Sequence, residues 1–233
     1  MVSITVNNTK VIARIIRSAR QRIQVRVISS EELEVRAPLD TPDSAIMALL
    51  RDRYDWLTAH LAEASRPFSL KDPQPLLFFG KEVPLHLRVS DNGKFDASYS
   101  ETEFILTHPP DASKEEIRNA IIAYYRYMGR TILAEKTALW AKRMGVTYKG
   151  IAVKEQKTSW ATCSSQKNLN YNWRILQASD ELIDSLVIHE LCHLRHMNHS
   201  KAFWQMVAKF NPNYAEHDDR LNRLAFRLMT SLH

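Results

Sequence analysis

Cysteine is scarce: Cys163 and Cys192 are the only two in 233 residues. So few thiols exclude a disulfide-stapled scaffold and fit a reducing cytoplasm, which is the expected location. No apolar run approaches the roughly 20 residues a membrane-spanning helix needs, and the N-terminus lacks the apolar core of a secretory signal. A membrane partner is therefore not expected. Internal repeats and low-complexity tracts are also missing. Acid is absent from the first thirty residues, which carry six Lys or Arg. That imbalance suits either a nucleic-acid footprint or a solvated sheet face, with Glu32 and Glu34 neutralising arginines across strands. The second reading is favoured, because the surplus is modest and no aromatic residues interleave it.

What is present is an ordinary globular composition, 45% hydrophobic and 25% charged, long enough for one large domain or two small ones. Residues 10–37 read as strands: Ile23, Val25 and Val27 alternate with Arg22, Gln24 and Arg26, and Leu33, Val35 and Ala37 repeat the period. Thr41-Pro42 reads as a helix start, with Ile46, Leu49, Leu50, Leu57 and Leu61 as its apolar stripe up to about Ala64. Pro67, Pro73 and Pro75 mark a connector. Short strands follow near 76–79, 83–89, 95–99 and 104–107, with Asp91-Asn92-Gly93 as a hairpin turn. Pro109-Pro110 is the candidate boundary, giving a β-rich part with one helix over 1–110 and a helical part over 111–233. Ser113 and Glu116 form a capping-box pattern opening a long helix to Met144, with Gly129 as a kink or break and Gly145 as its stop. A strand near 148–153, a loop or hairpin over 160–166 and a strand over 169–175 come next. After Pro212 a last helix carries Leu221, Leu224, Phe226 and Leu228 between Arg220, Arg223 and Arg227.

The chemistry concentrates in His189-Glu190-Leu191-Cys192-His193, inside the turn-free run Glu181 to Met197, with Ser179 as its N-cap. On a helix, residues four apart lie about 40° from each other, so both imidazoles share one face and can hold one zinc ion. Glu190 is placed to reach a water on the ion's open side as general base and acid. An H-E-x-x-H arises by chance in about two of a hundred chains of this composition, so its position on a helix with further histidine downstream favours a metal site. A third ligand is needed. His196 lies about 10.5 Å along the helix from His189, too far for one coordination sphere. His199 reaches the ion if Asn198 turns the chain and Ser200 caps a new helix through Phe203, Trp204, Met206, Val207 and Phe210. Glu216 or His217 is the alternative. Tyr214 could donate to an oxyanion, although packing is the favoured role.

The runs Thr158-Ser-Trp-Ala-Thr-Cys-Ser-Ser165, Asn168-Leu-Asn-Tyr-Asn-Trp-Arg174 and His189 to Ser200, then Phe203-Trp204, resemble the YgjP-like metallopeptidase family, small zincins related to the SprT-like and WLM proteases. Ala161-Thr162 stands where that family usually has Gly-Ser, and Cys192 where Ala is usual. The resemblance implies an α+β, zincin-like fold, zinc on His189, His193 and His199, and Glu190 as the catalytic acid/base. It also implies a strand beside the metal helix, read here as 169–175, where flexible or unfolded peptide segments can pair. On that strand Asn170 and Asn172 share a face, with pairing as their favoured role. The expected function is zinc-dependent peptide hydrolysis. One rival is a nucleic-acid-associated module, acting on DNA-bound proteins or not, whose zinc is structural and closed by Cys163. Another is a hydrolase of non-peptide substrates.

Overall fold

Alternating apolar and polar residues build the N-terminal strands of the computed structural model, which describes residues 2–19, 21, 23–64, 73, 75–156, 159–230 and 232. Arg22, Pro67 and Thr158 lie outside these residues, as do the side chains of Arg26, Phe226 and Arg227. Contacts divide the chain into two compact units, Met1–Pro67 with Met229–Ser231 and His233, and Phe68–Leu228 with Leu232.

In the first unit, β1 (Val2–Val6), β2 (Thr9–Ser18), β3 (Gln24–Ser29) and β4 (Glu32–Pro38) form a sheet in the order β1-β2-β4-β3. The first strand was not expected from its sequence. Val6, Val11, Ala13, Leu33 and Val35 turn to a core completed by Ile46, Leu50 and Leu57. The expected single helix is two, α1 (Asp43–Asp52) and α2 (Tyr54–Ala64), because Arg53 leaves helical geometry at φ −100° and ψ 23°. Pro42 is the N-cap rather than the first helical residue, and no side chain caps the helix. Glu34 is buried between Arg14 (3.3 Å) and Arg36 (2.8 Å), so part of the basic surplus is compensated within the sheet.

The second unit starts with β5 (Leu76–Phe78) and β6 (Lys81–Val83), a two-stranded hairpin. Pro84 separates β6 from β7 (Leu85–Val89), so the expected 83–89 strand is split. With β8 (Asp96–Tyr99) and β9 (Phe104–His108), β7 forms a sheet in the order β7-β9-β8. Asp91-Asn92-Gly93 is thus not a hairpin turn, since β7 and β8 are not paired; the tight hairpin joins β8 to β9. Phe78, Phe104 and Leu106 share one core with Ile117, Ile121 and Tyr125 of α3 (Lys114–Met144). That shared core is why the chain divides before the strands rather than at Pro109-Pro110.

The capping box at Ser113 and Glu116 and the left-handed cap at Gly145 delimit α3 as the sequence indicates. Gly129 does not break it. A Cβ there would come within 3.3 Å of Val153 Cγ1 and 3.5 Å of Leu176 Cδ1, so the glycine admits close packing on the following elements. These are β10 (Gly150–Lys154), β11 (Ala161–Cys163) and β12 (Asn168–Asn172), ordered β10-β12-β11, then a 3-10 turn, Trp173–Gln177. The strand expected to run to Ile175 ends at Asn172, whose side chain accepts from Arg174 N–H and also donates to the Gln156 carbonyl at 2.8 Å. Three helices close the chain: α4 (Asp180–Cys192), α5 (Lys201–Phe210) and α6 (Tyr214–Thr230). The architecture is mixed α+β.

Candidate metal centre

His189 and Glu190 stand on the last turn of α4, a helix buried along Leu182, Leu186, Ile188 and Leu191. Ser179 is its N-cap by backbone geometry but makes no side-chain cap bond. The helix stops at Cys192, five residues before Met197, and His193 is its C-cap in right-handed helical geometry. Tight turns then carry the chain through 194–196. Asn198 has no left-handed conformation among the described residues, so the reversal is made by these early turns and not by that asparagine. Ser200 caps α5 by accepting from Phe203 N–H, as its sequence indicates.

The result brings His199 back onto α4. Its Nε2 lies 3.1 Å from His189 Nε2, and one nitrogen from each of His189, His193 and His199 falls within 4.8 Å of the others. Among the described residues no other histidine, cysteine or carboxylate joins this group. His196, Glu216, His217, Cys163 and Cys192 are outside it. His196 contributes instead through its backbone: its carbonyl accepts from His193 Nδ1 at 3.1 Å. That bond fixes the proton on Nδ1 and leaves His193 Nε2 with a free lone pair. The Phe203 ring touches all three imidazoles, with centroids 4.9, 4.6 and 4.8 Å from His189, His193 and His199. Trp204 stacks on His199 at 5.5 Å and on Tyr214 at 5.2 Å, which gives Tyr214 its packing role.

Electrostatics follow from this enclosure. Burial, then the neighbouring imidazoles His193 and His199, lower the His189 pKa to about 4, and burial lowers His193 as well. Both rings are therefore held neutral, the form that binds a cation. Glu190 is 5% exposed, its Oε2 has no hydrogen-bond partner, and burial pushes its carboxyl up to about 8. The Cys163 thiol is raised by its own burial and by Glu190, and Cys192 is pushed up to about 12 by burial. Neither is a ready thiolate.

His189 and Glu190 open onto a cleft of about 200 Å³ whose walls come from α4, α5, α6 and the Trp160-Ala161 end of β11. Strand β11 is an edge of its sheet and packs on α4, whereas β12 is paired on both sides. The edge strand beside α4 is thus β11, not the 169–175 segment expected there. Asn170 and Asn172 serve pairing and turn formation. Sequence reasoning did not find the Phe203 floor as such, although the Phe203-Trp204 pair signalled it. It also missed Asp218 and Asn222 on the α6 wall of the cleft, for which spacing gave no signal.

No helix among the described residues is long and apolar enough to cross a membrane. No curated protein matches the chain. Among solved structures, the metallopeptidase zymogen abylysin of Pyrococcus abyssi is similar at 24% identity and TM-score 0.38, over 40% of this chain and 96% of that one. The zymogen jannalysin of Methanocaldococcus jannaschii is similar at 19% identity and TM-score 0.35, over 38% and 92%. Likeness at this level carries no functional inference. The sequence pattern of the YgjP-like metallopeptidase domain, in contrast, matches residues 21–224, from β3 through α3 to the whole histidine cluster, and the chain belongs to that family.

Proposed function

We propose that this metallopeptidase domain is a zinc-dependent peptidase in which His189, His193 and His199 hold the ion and Glu190 transfers the proton. The observation that carries this reading is a buried carboxylate oxygen without a partner, on the same cleft as three converging imidazoles. The donor set fits zinc. Two nitrogens bound to one tetrahedral ion at about 2.0–2.1 Å lie roughly 3.3 Å apart, and His189 and His199 Nε2 are 3.1 Å apart. Three nitrogen donors and no fourth side chain in reach among the described residues suit an open catalytic site better than the closed structural site of the rival reading.

When bound, such an ion supplies the Lewis acidity that polarises a carbonyl and lowers the pKa of water. The protein's own groups do the rest. Phe203 and Trp204 pack the imidazoles into one orientation, and the His196 carbonyl sets the His193 tautomer. Glu190 is buried and otherwise biased towards its protonated form; a cation held by the three imidazoles would favour its carboxylate, the form that can take a proton. Glu190 then accepts the proton released as water adds to the peptide carbonyl, and returns it to the leaving amine. The β11 edge offers backbone groups to an extended segment, which favours flexible or unfolded substrates.

The test is Glu190→Gln in the zinc-loaded protein. It should keep one zinc per chain while turnover of an unfolded protein falls by about 10²–10⁴-fold. Full activity in that variant would remove Glu190 from the reaction.

A further inference from the structure

The cleft that His189 and Glu190 line is also lined by one face of α6, through Tyr214, Asp218 and Asn222. The acids of that helix are not equivalent. Glu216 lies 4.0 Å from Arg220, and Asp219 pairs with Arg223 at 2.8 Å, each with an arginine four residues on. The residue four beyond Asp218 is Asn222, a neutral amide that donates to Asp218 Oδ2 at 3.3 Å. Among the described residues no lysine or arginine pairs with Asp218, and no cationic side chain other than a histidine lines the cleft. The one carboxylate of α6 that lines the cleft is the one without a lysine or arginine partner among the described residues; of the histidines, His199 acts on its charge.

We propose that this cleft is the specificity pocket and that Asp218 selects substrates with a lysine or arginine side chain next to the cleaved bond. The inference rests on the peptidase reading and narrows its substrate class. Leu186, Val207 and Leu221 supply apolar walls for a methylene stem, and Asp218 with Asn222 receives the cationic head on the α6 wall. At about 200 Å³ the cleft is smaller than the roughly 300–1,000 Å³ of sites for drug-sized ligands, so it admits one long side chain and not a folded segment. An acidic side chain meets a like charge there, and an apolar one leaves the Asp218 carboxylate facing hydrocarbon. Its width is set by two ties between the walls. Asn211 Nδ2 donates to Ser185 Oγ at 2.8 Å in the buried junction before α6, and Arg220 pairs with Glu181 of α4 at 2.6 Å.

The experiment uses the zinc-loaded full chain and matched fluorogenic peptides differing only in one residue beside the scissile bond: Lys, Arg, Leu or Glu. Wild type should prefer Lys and Arg over Leu by about tenfold in kcat/KM. Asp218→Asn should bring that ratio towards one, mainly through KM, and Asp218→Lys should shift preference to Glu. A ratio that survives Asp218→Asn overturns the proposal. So does an equal loss on every peptide accompanied by loss of zinc, which would make Asp218 a positioning residue for His199. A second arm measures binding of the same peptides to Glu190→Gln with and without Asp218→Asn. If wild type cuts none of them, the peptidase reading falls, and this arm decides the pocket separately: selective binding of Lys and Arg peptides that depends on Asp218 sustains it, and indifferent binding ends it.

Discussion

At the scale of single residues, burial keeps His189, His193 and Glu190 out of their ordinary protonation range. His189 has a folded-state pKa of about 4, against an ordinary value near 6.5, chiefly through burial. Between those two values the unfolded chain takes up a proton that the folded chain refuses, so the apo protein loses stability as pH falls from 6.5 towards 4. Below about 4 both states are protonated and the loss levels off. His193, also lowered, adds to the same trend. Thermal melts of zinc-free protein between pH 7.5 and 4 should show Tm falling through this window, and a His189→Gln variant should show a shallower slope. A flat apo profile would mean that the ring is solvated and not held neutral. At this scale the sequence is most informative where the chemistry depends on spacing within one helix, as with His189, Glu190 and His193. The convergence of His199 was expected too, with the cap at Ser200 as a correct local signal, although the turn expected at Asn198 is made earlier, over 194–196. What the sequence concealed was the support: the Phe203 ring against three imidazoles and the His196 carbonyl on His193 exist only once the turns after Cys192 are made.

At the scale of elements, periodicity located helices well and their ends less well. The long α3 was readable because its capping box and its glycine stop are local signals. The end of α4 was not, because residues 193–197 carry helix-compatible side chains, while their path is tied to distant chain by contacts such as Arg195 Nη2 donating to the Gly145 carbonyl at 2.8 Å. Strand roles were hidden for a related reason: whether β11 or β12 is the open edge depends on pairing partners, and no residue pattern encodes that. One turn couples these elements directly. Gly80, between β5 and β6, has φ +79°, and its N–H donates to the Gln177 carbonyl at 3.1 Å. A Cβ there would sit 3.2 Å from both Cα and Cβ of Ser179, the residue at which α4 begins. Gly80→Ala should therefore combine the strain of a left-handed alanine with a backbone clash, a loss of about 2–3 kcal/mol in denaturant unfolding. Gly93 is the control. At φ +67° with nothing within 4 Å of its would-be Cβ, Gly93→Ala should cost only about 1 kcal/mol. Equal losses at the two positions would show that the close approach to Ser179 contributes nothing.

At the scale of the whole molecule, every group of the proposed centre and cleft lies within Phe68–Leu228. That unit has its own core, running from Leu76 and Phe78 through Trp173 and Leu191 to Leu228, and Met1–Pro67 has another around Val11, Leu33, Val35 and Leu50. The double proline misled the reading of the sequence because it marks a real chain break between β9 and α3, while domain membership is decided by which faces share a core. Placing the division before β5 has a consequence that division at 110 does not. If Phe78, Phe104 and Leu106 are integral to the unit that carries the histidine cluster, a fragment of residues 68–233 should fold cooperatively and take up zinc with an affinity within a few-fold of the full chain. A fragment of residues 111–233 should not fold, since it strips Phe78 and Phe104 from the aromatic stack on Tyr125 and exposes Ile117 and Ile121. Zinc titration and denaturant unfolding of the two fragments separate these outcomes. Equal folding and equal zinc affinity in both would return the boundary to Pro109-Pro110 and make the β5–β9 strands dispensable to the centre.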